Sequence, residues 1–322
     1  MPGGQTQTIT MTSWQILKIL TVDIFSWMAL GMVLARLGFF SIQHIQFVLR
    51  KVVINMLFPC LILEKILINL NISDTLNMAM LFAGALVMFL GSCCISFLWV
   101  PRIAGNRESE NTMLLCNTFQ NYGFMVFPLA LNLLGEKGLA LALIYSLTGD
   151  ALLWSLGIYL LQRMPGAKIK WKEIITPPAV TVLVSVVLAL AGVPGHIPGQ
   201  IFTLLHYPAL LTVPLAIICS GGIFFHTLKG MGKRDFPVKE ISFSLTSRML
   251  VLPLLWIGVI SMLVPQSLAK SILYIEAVMP ASVVITALVA IYGGDRKYAV
   301  LFSLLTVLLS ILTVPLYLSF LF

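Results

Sequence analysis

Ten stretches of about 20 residues, each nearly free of charge, follow one another along this chain, and that succession constrains its fold more than any motif. They cover residues 14–37, 51–70, 75–99, 111–134, 137–162, 173–193, 201–228, 239–263, 267–291 and 297–321. About 20 helical residues cross a bilayer core about 30 Å thick. Lipid offers the backbone no partner, so stretches of this length must satisfy their own amides as helices. The pattern predicts an all-α polytopic membrane protein with ten transmembrane helices. Composition agrees: 59% of the 322 residues are hydrophobic and 10% are charged, where a soluble domain carries about 25% charge. Connections are short, and no linker divides the chain. Segment 41–50, polar on one side, is expected to lie along the membrane surface. The first 14 residues are polar and hold no Lys or Arg, so no signal peptide is expected there.

A net charge of +8 would suit a nucleic-acid partner, but the basic residues sit between the apolar runs, so no such partner is expected. Fifteen of the 20 Lys and Arg fall in the connections that follow odd-numbered runs, most densely at Arg163–Lys172 and Lys229–Lys239. Four (Lys18, Lys65, Lys137 and Lys270) fall on the other side, and Arg248 lies within a run. Positive loops stay in the cytoplasm, which places the protein in the cell membrane with both termini extracytoplasmic. The five cysteines (Cys60, Cys93, Cys94, Cys116 and Cys219) all lie within apolar runs without metal spacing and read as small buried side chains.

An internal repeat is visible. Leu134-Gly135-Glu136-Lys137, followed by Ala140, matches Gly293-Gly294-Asp295-Arg296, followed by Ala299, at an offset of 159 residues that also lays Asn121 on Pro280. Pro59 and Pro214 sit centrally in runs two and seven. Five helices per half is an odd number, so the second half is expected to be inserted upside down, with repeats over 14–162 and 173–321. Inverted repeats of this kind mark secondary transporters.

The fourth run carries Asn117, Asn121, Tyr122, Gly123 and Pro128 near its middle, an unusually polar stretch for mid-membrane. Pro128 lacks an amide donor and clashes with the preceding turn at Phe124, and Gly123 loosens that turn. The ninth run has a matching break at Glu276 to Ser282, with Pro280, Ala281 and Ser282 in it. Broken helices at corresponding places of two halves point to a binding site. The half-helix that follows each break begins with a partial positive charge, which suits a small anion such as a carboxylate. Ionisable residues within spans are functional candidates. Asp150 in run five is expected to pair with Arg248, bind a cation or carry a proton; Glu276 to cap freed amides or titrate. Arg248 either reaches toward the cytoplasmic face or balances substrate charge. Asp23 is read as reaching water. Ser220-Gly221-Gly222 is read as close helix packing, and His206 and His226 as interface residues.

Asn121-Tyr122-Gly123-Phe124-Met125-Val126-Phe127-Pro128, with Leu134-Gly135-Glu136-Lys137-Gly138 after it, resembles the auxin efflux carrier family, whose bacterial members share Asn-Tyr-Gly-Phe-Met-Gly-x-Pro. Glu276-Ala277-Val278-Met279-Pro280-Ala281, Tyr292-Gly293-Gly294-Asp295 and Phe58-Pro59 are similar as well, so the resemblance covers nearly the whole chain. It implies ten helices in two inverted five-helix repeats, interleaved scaffold and transport subdomains, and helices four and nine crossing at the site. The bile acid:sodium symporter superfamily has a related arrangement. Plant PIN-type members export auxin, and bacterial members are described as permeases for malate, malonate or similar acids. The family places substrate against Asn121 and the Pro128 and Pro280 crossover, and members often pair as homodimers. Val126 departs from the family glycine, and the long cytoplasmic loop of many plant members is absent.

The expected function is a secondary carrier of a small organic anion, a mono- or dicarboxylate such as malate, malonate or an auxin-like acid, moved by an elevator motion that the resemblance implies. Proton, sodium or the membrane potential would drive it, with no cofactor and no bound metal. A sensor or receptor using the same crossover is the alternative. An enzyme is not expected: the sequence has no HExxH, no GxSxG and no phosphate loop.

Overall fold

The structure, a computed structural model, describes residue 18 and residues 24–161, 177–229 and 237–322. Asp23 and the basic residues Arg163, Lys168, Lys170, Lys172, Lys233 and Arg234 lie outside them. Every one of the ten apolar runs forms helix among its described residues, and the fourth and ninth are each interrupted within their length. The helices are α1 (Ser26–Arg36), α2 (Ile42–Asn69), α3 (Thr75–Ile103), α4 (Arg107–Thr118), α5 (126–134), α6 (136–161), α7 (Pro177–Leu190), α8 (Gly199–Lys229), α9 (Val238–Leu263), α10 (Leu268–Ala277), α11 (Val284–Tyr292) and α12 (Arg296–Leu321). Among the described residues, six stretches are long and apolar enough to cross a bilayer: Ile42–Asn69, Ile72–Ile103, Val126–Leu161, Gly199–His226, Val238–Leu263 and Arg296–Leu321. The chain is an all-helical membrane protein.

Segment 41–50 does not form a separate surface helix. It is the first part of α2, which starts at Ser41, whose hydroxyl accepts from the His44 amide at 3.2 Å, and runs through a π-helical stretch at Val48–Leu57. The cause is packing: Ile45 is buried against Cys219 and Ile223 of α8. Of the other cysteines, Cys93 and Cys116 are buried as expected, whereas Cys60 is half-buried and Cys94 is exposed.

Glycines set two of the turns. Gly135, at φ +72°, separates α5 from α6; Gly293 and Gly294, at φ +90° and +130°, separate α11 from α12. Side chains are strained at these angles, and glycine is not. Asp295 then caps α12 by accepting from the Tyr298 amide at 2.9 Å.

The helices pack in two groups, α1, α2, α7 and α8 in one and α3–α6 with α9–α12 in the other. In the first, α1 and α8 touch backbone to backbone: a Cβ on Gly31 would lie 1.9 Å from the Ile218 carbonyl oxygen, and one on Gly221 would lie 2.0 Å from that of Met28. In the second, Phe89 of α3 sits among the rings of Phe119, Tyr122 and Tyr145, with centroids 5.2, 5.6 and 5.6 Å away. Trp256 of α9 lies on Gly91 of α3 and donates to Ser92 Oγ at 2.9 Å. Ion pairs cluster at one end, and one of them, Lys65 with Glu136, joins the two groups. Lys65 meets Glu64 at 3.3 Å and Glu136 at 3.0 Å, Lys137 meets Asp74 at 2.7 Å, and His206 bonds Glu64 at 2.7 Å.

The backbone contact between α1 and α8 yields a prediction. Gly221→Ala drives a methyl into the Met28 carbonyl and should lower the thermal unfolding midpoint in detergent, because overpacking costs about 1–3 kcal/mol. Gly258→Ala, on a helix face with nothing within 4 Å, should leave the midpoint unchanged or raise it, since alanine is the better helix former by about 1 kcal/mol. Fluorescence-detected melting of both variants checks the pair.

Candidate functional site: the paired helix breaks

Two helices are interrupted where the sequence predicts. α4 ends at Thr118 and α5 begins at Val126; α10 ends at Ala277 and α11 begins at Val284. Pro128 lies in the first turn of α5, where an amide would have no helical partner, so it helps start a half-helix and does not itself form the break. Pro280 lies within its break.

The breaks pair with each other. The Asn121 amide donates to the Pro280 carbonyl at 2.8 Å, and the Ser282 amide donates to the Phe119 carbonyl at 3.1 Å. Gln120 and Ala281 face each other as an antiparallel bridge. The Ala281 amide donates to Thr306 Oγ1 of α12 at 3.3 Å. The Gly123 carbonyl accepts from the Phe127 amide at 2.9 Å. Backbone freed inside a membrane is tolerated only where protein or enclosed water satisfies it. Here each break supplies the other's partners.

Arg248 completes the layer. It is 2% exposed. Its Nε and Nη2 donate to the Met279 carbonyl at 3.3 and 3.1 Å, its Nη1 to the Asn117 carbonyl at 3.3 Å, and its Nη2 to Gln120 Oε1 at 3.4 Å. Asn117 lies in the last turn of α4 and Met279 follows α10, so the guanidinium sits at the carboxyl ends of both first half-helices, where aligned peptide dipoles gather negative charge. It neither reaches for the cytoplasmic face nor pairs with Asp150. Asp150 Oδ1 instead accepts from the Tyr122 hydroxyl at 2.9 Å. Gln120 donates through Nε2 to the Tyr145 hydroxyl, and Asn117 Nδ2 donates to the Met113 carbonyl at 2.9 Å. Glu276 is fully buried and caps no freed amide, because neither carboxylate oxygen makes a hydrogen bond. Arg248, Gln120, Tyr145 and Tyr122 are the groups within electrostatic reach of it.

A small cleft opens beside the layer, between the two helix groups. Ile24, Met28, Ile217 and Ser220 line one side; Asn121, Phe124, Met125, Val283 and Val307 line the other. Met125 and Val283 are the residues immediately before α5 and α11, so both second half-helices begin at this cleft. Its volume of about 20 Å³ holds about one water molecule, so a larger guest enters only if the groups part. Asn121 is the polar residue that sequence reasoning brings to the cleft. Asn117, Pro280, Ala281 and Ser282 stand behind it in the paired layer, and Pro128 one turn into α5. Gln120, Thr306 and Ser220 were not singled out as site residues. Ser220 belongs to a small-residue motif read as packing, which holds for Gly221 but not for the cleft-facing serine. His206 is bonded to Glu64 of α2 at 2.7 Å, and His226 to the Phe40 carbonyl at 2.6 Å.

A family model described as membrane transport protein matches residues 17–170 and again 163–318. The chain belongs to that family. It is the auxin efflux carrier family that the sequence motifs resemble, and its members are transporters and not enzymes. An uncharacterized transporter of Methanothermobacter thermautotrophicus is 26% identical over 292 residues, spanning 89% of this chain and 93% of its own length. One of Methanocaldococcus jannaschii is 26% identical over 311 residues, spanning 89% and 95%. One of Schizosaccharomyces pombe is 30% identical over 152 residues, spanning 41% of this chain and 33% of its own.

The bonds of Arg248 make a measurable claim. Arg248→Leu leaves the Asn117 and Met279 carbonyls and Gln120 Oε1 without their donor, at about 1–3 kcal/mol for each buried acceptor left unpaired. The variant should show a markedly lower unfolding temperature in detergent, and Arg248→Lys should recover part of it. An Arg248→Leu protein as stable as wild type would mean that the layer holds without the guanidinium.

Proposed function

We propose that this chain is a secondary carrier of small organic anions, and of monocarboxylates with an apolar body before dicarboxylates such as malate. The cleft beside Asn121 carries the reading. Two helix amino ends and one amide side chain suit a single carboxylate there. The remaining wall is Ile, Met, Phe and Val with one hydroxyl, Ser220, whose proton is donated to the Ala216 carbonyl at 2.9 Å. A second carboxylate pressed against that wall would lose its hydration without a partner, at a cost of several kcal/mol. Asn121 is the primary substrate residue, flanked by Tyr122 and Gly123. Asn117, Pro128, Pro280, Ala281 and Ser282 hold the pairing that aims it.

The architecture behind the cycle is ten membrane helices in two inverted repeats, 14–162 and 173–321. Several observations support it. Residues that the 159-residue offset aligns, Asn121 and Pro280, are bonded to each other. Gly135 and Gly294, aligned by the same offset, both have positive φ. The α1, α2, α7 and α8 group is the scaffold, the other group is the moving body, and substrate crosses by an elevator motion that parts the cleft walls. The packing of α1 on α8 through Gly31 and Gly221 suits a rigid scaffold, which is also the surface through which two copies would pair as a homodimer.

The membrane is the cell membrane, with both termini outside. The distribution of charge supports this orientation. The sparse cations at the outer end are offset by partners there: Lys65 by Glu64 and Glu136, and Lys137 by Asp74.

Uptake of labelled indole acetate, malonate and malate into proteoliposomes tests the assignment. Saturable uptake of the monocarboxylate above that of protein-free vesicles, slower uptake of the diacids, and loss in Asn121→Ala are expected. Faster uptake of malate than of indole acetate would refute the substrate preference. Binding without counterflow of preloaded label would identify a receptor in place of a carrier.

A further inference from the structure

The Tyr122–Asp150 pair joins a mid-membrane carboxylate to the segment that carries Asn121. Asp150 lies 14 residues into α6, about 21 Å along its axis at 1.5 Å per residue, which is near mid-bilayer. Its Oδ1 accepts from the Tyr122 hydroxyl at 2.9 Å. The neighbouring Gly149 favours that contact: a Cβ there would lie 3.0 Å from ring atoms of Tyr122, tight enough to press the ring away from α6. Tyr122 is the residue after Asn121, and its amide donates to the Gln120 carbonyl at 2.9 Å, so the ring is tied to the bridge between the breaks.

The charges around Asp150 are specific. Among the described residues no Lys, Arg or His side chain lies within 4.0 Å of it. Arg248 is committed to the carbonyls of Asn117 and Met279. From α4–α5 the group that meets Asp150 is Tyr122, and α7, which packs against α6, carries no ionisable side chain over 177–190. On α2, Glu64 and Lys65 are paired with His206 and Glu136. α3 and α10 carry Cys93, Cys94, Arg102, Lys270, Tyr274 and Glu276; Lys270 donates to the Ser261 carbonyl at 3.3 Å, and Glu276 reaches Tyr122 electrostatically and not Asp150. Glu276 is completely enclosed behind the paired layer, whereas Asp150 stands outside that layer on α6, half-buried and bonded to Tyr122.

We infer that Asp150 binds the proton that this carrier co-transports with its anion, and that Tyr122 passes its charge state to the Asn121 segment. The inference rests on the carrier reading above. Ionised Asp150 holds the Tyr122 hydroxyl as its donor and places a negative charge on the partner of the residue next to cleft-lining Asn121, so it opposes anion binding. When a proton from the same compartment forms the carboxyl O–H, that charge is gone and the hydroxyl is released from its role as sole donor. Anion and proton therefore bind together. The loaded carrier gains one proton and one monoanion with no net charge, and release on the far side returns Asp150 to its carboxylate.

Initial rates of labelled indole acetate uptake into proteoliposomes, corrected for protein-free vesicles, test this under two separate gradients. In wild type an acidic exterior should drive uptake, with about a tenfold change in driving ratio per pH unit, and a potassium–valinomycin potential should have no effect. In Asp150→Asn the pH response should vanish and uptake should become sensitive to potential, because the anion now moves alone. Tyr122→Phe should weaken the pH response. Asp150→Asn uptake that still follows pH, or a pH response lost in Glu276→Gln but kept in Asp150→Asn, would overturn the inference. If wild type moves none of the acids, the substrate reading fails, and acid-minus-alkaline infrared difference spectra decide the proton site separately. A protonated-carboxyl band missing from Asp150→Asn supports it, and a band unchanged in that variant overturns it.

Discussion

The structure depends on how two interrupted helices satisfy the backbone they leave open inside a membrane. Each amide or carbonyl left without a partner in hydrocarbon costs several kcal/mol. The chain meets that demand by pairing the breaks: Asn121 with Pro280, Ser282 with Phe119, and Gln120 opposite Ala281. Neither break can be built alone, since each supplies the acceptors and donors of the other. Two segments 159 positions apart in the chain are thereby held together by two backbone hydrogen bonds and a guanidinium.

The helices around this layer are specialised to carry it. α9 brings Arg248 to both carbonyl ends on a π-helical turn, Ser247–Val251. Such a turn leaves local carbonyls available, and Tyr317 of α12 donates to that of Met249 at 2.9 Å. Glycines on α3 let α10 and α9 approach. A Cβ on Gly84 would meet Leu273 at 2.6 Å, and one on Gly91 would meet Trp256 at 2.4 Å. Lipid gives apolar side chains little reason to seek one another, so close fit and buried polar bonds hold these contacts. The cleft lies where this tightly bonded group faces the glycine-packed pair α1 and α8, the one boundary in its surroundings crossed chiefly by apolar side chains.

Much of this was legible in the sequence for reasons of period and composition. Runs of 20 apolar residues state helices directly, and Pro280 and the polar stretch Asn117 to Gly123 state that two of them break. The glycines at 135 and 293–294 mark turns because only glycine accepts their angles. Contacts between distant segments were not legible. Nothing local in Arg248 tells that its partners are carbonyls 31 and 131 residues away. Backbone acceptors leave no residue-type trace. Gln120 reads as one polar residue among several, and its role appears only when Tyr145 and Arg248 are placed beside it. Segment 41–50 was misassigned because its buried face is set by α8, which a local pattern does not contain.

Arg248 also orders the assembly of the protein in time. A lone arginine at the centre of an entering helix costs about 2.5–3.5 kcal/mol on the insertion scale, which the apolar residues of α9 must offset while it threads into the bilayer. At that moment the Asn117 carbonyl and Gln120 already exist in the membrane, but Met279, 31 residues later, has yet to arrive. With helices entering in chain order, the acceptors of the first break are the ones in place to shelter the charge before the second is made. Entry of α10 and α11 then closes around a guanidinium that is already in place, and the last helices are guided to their register by a group waiting for them.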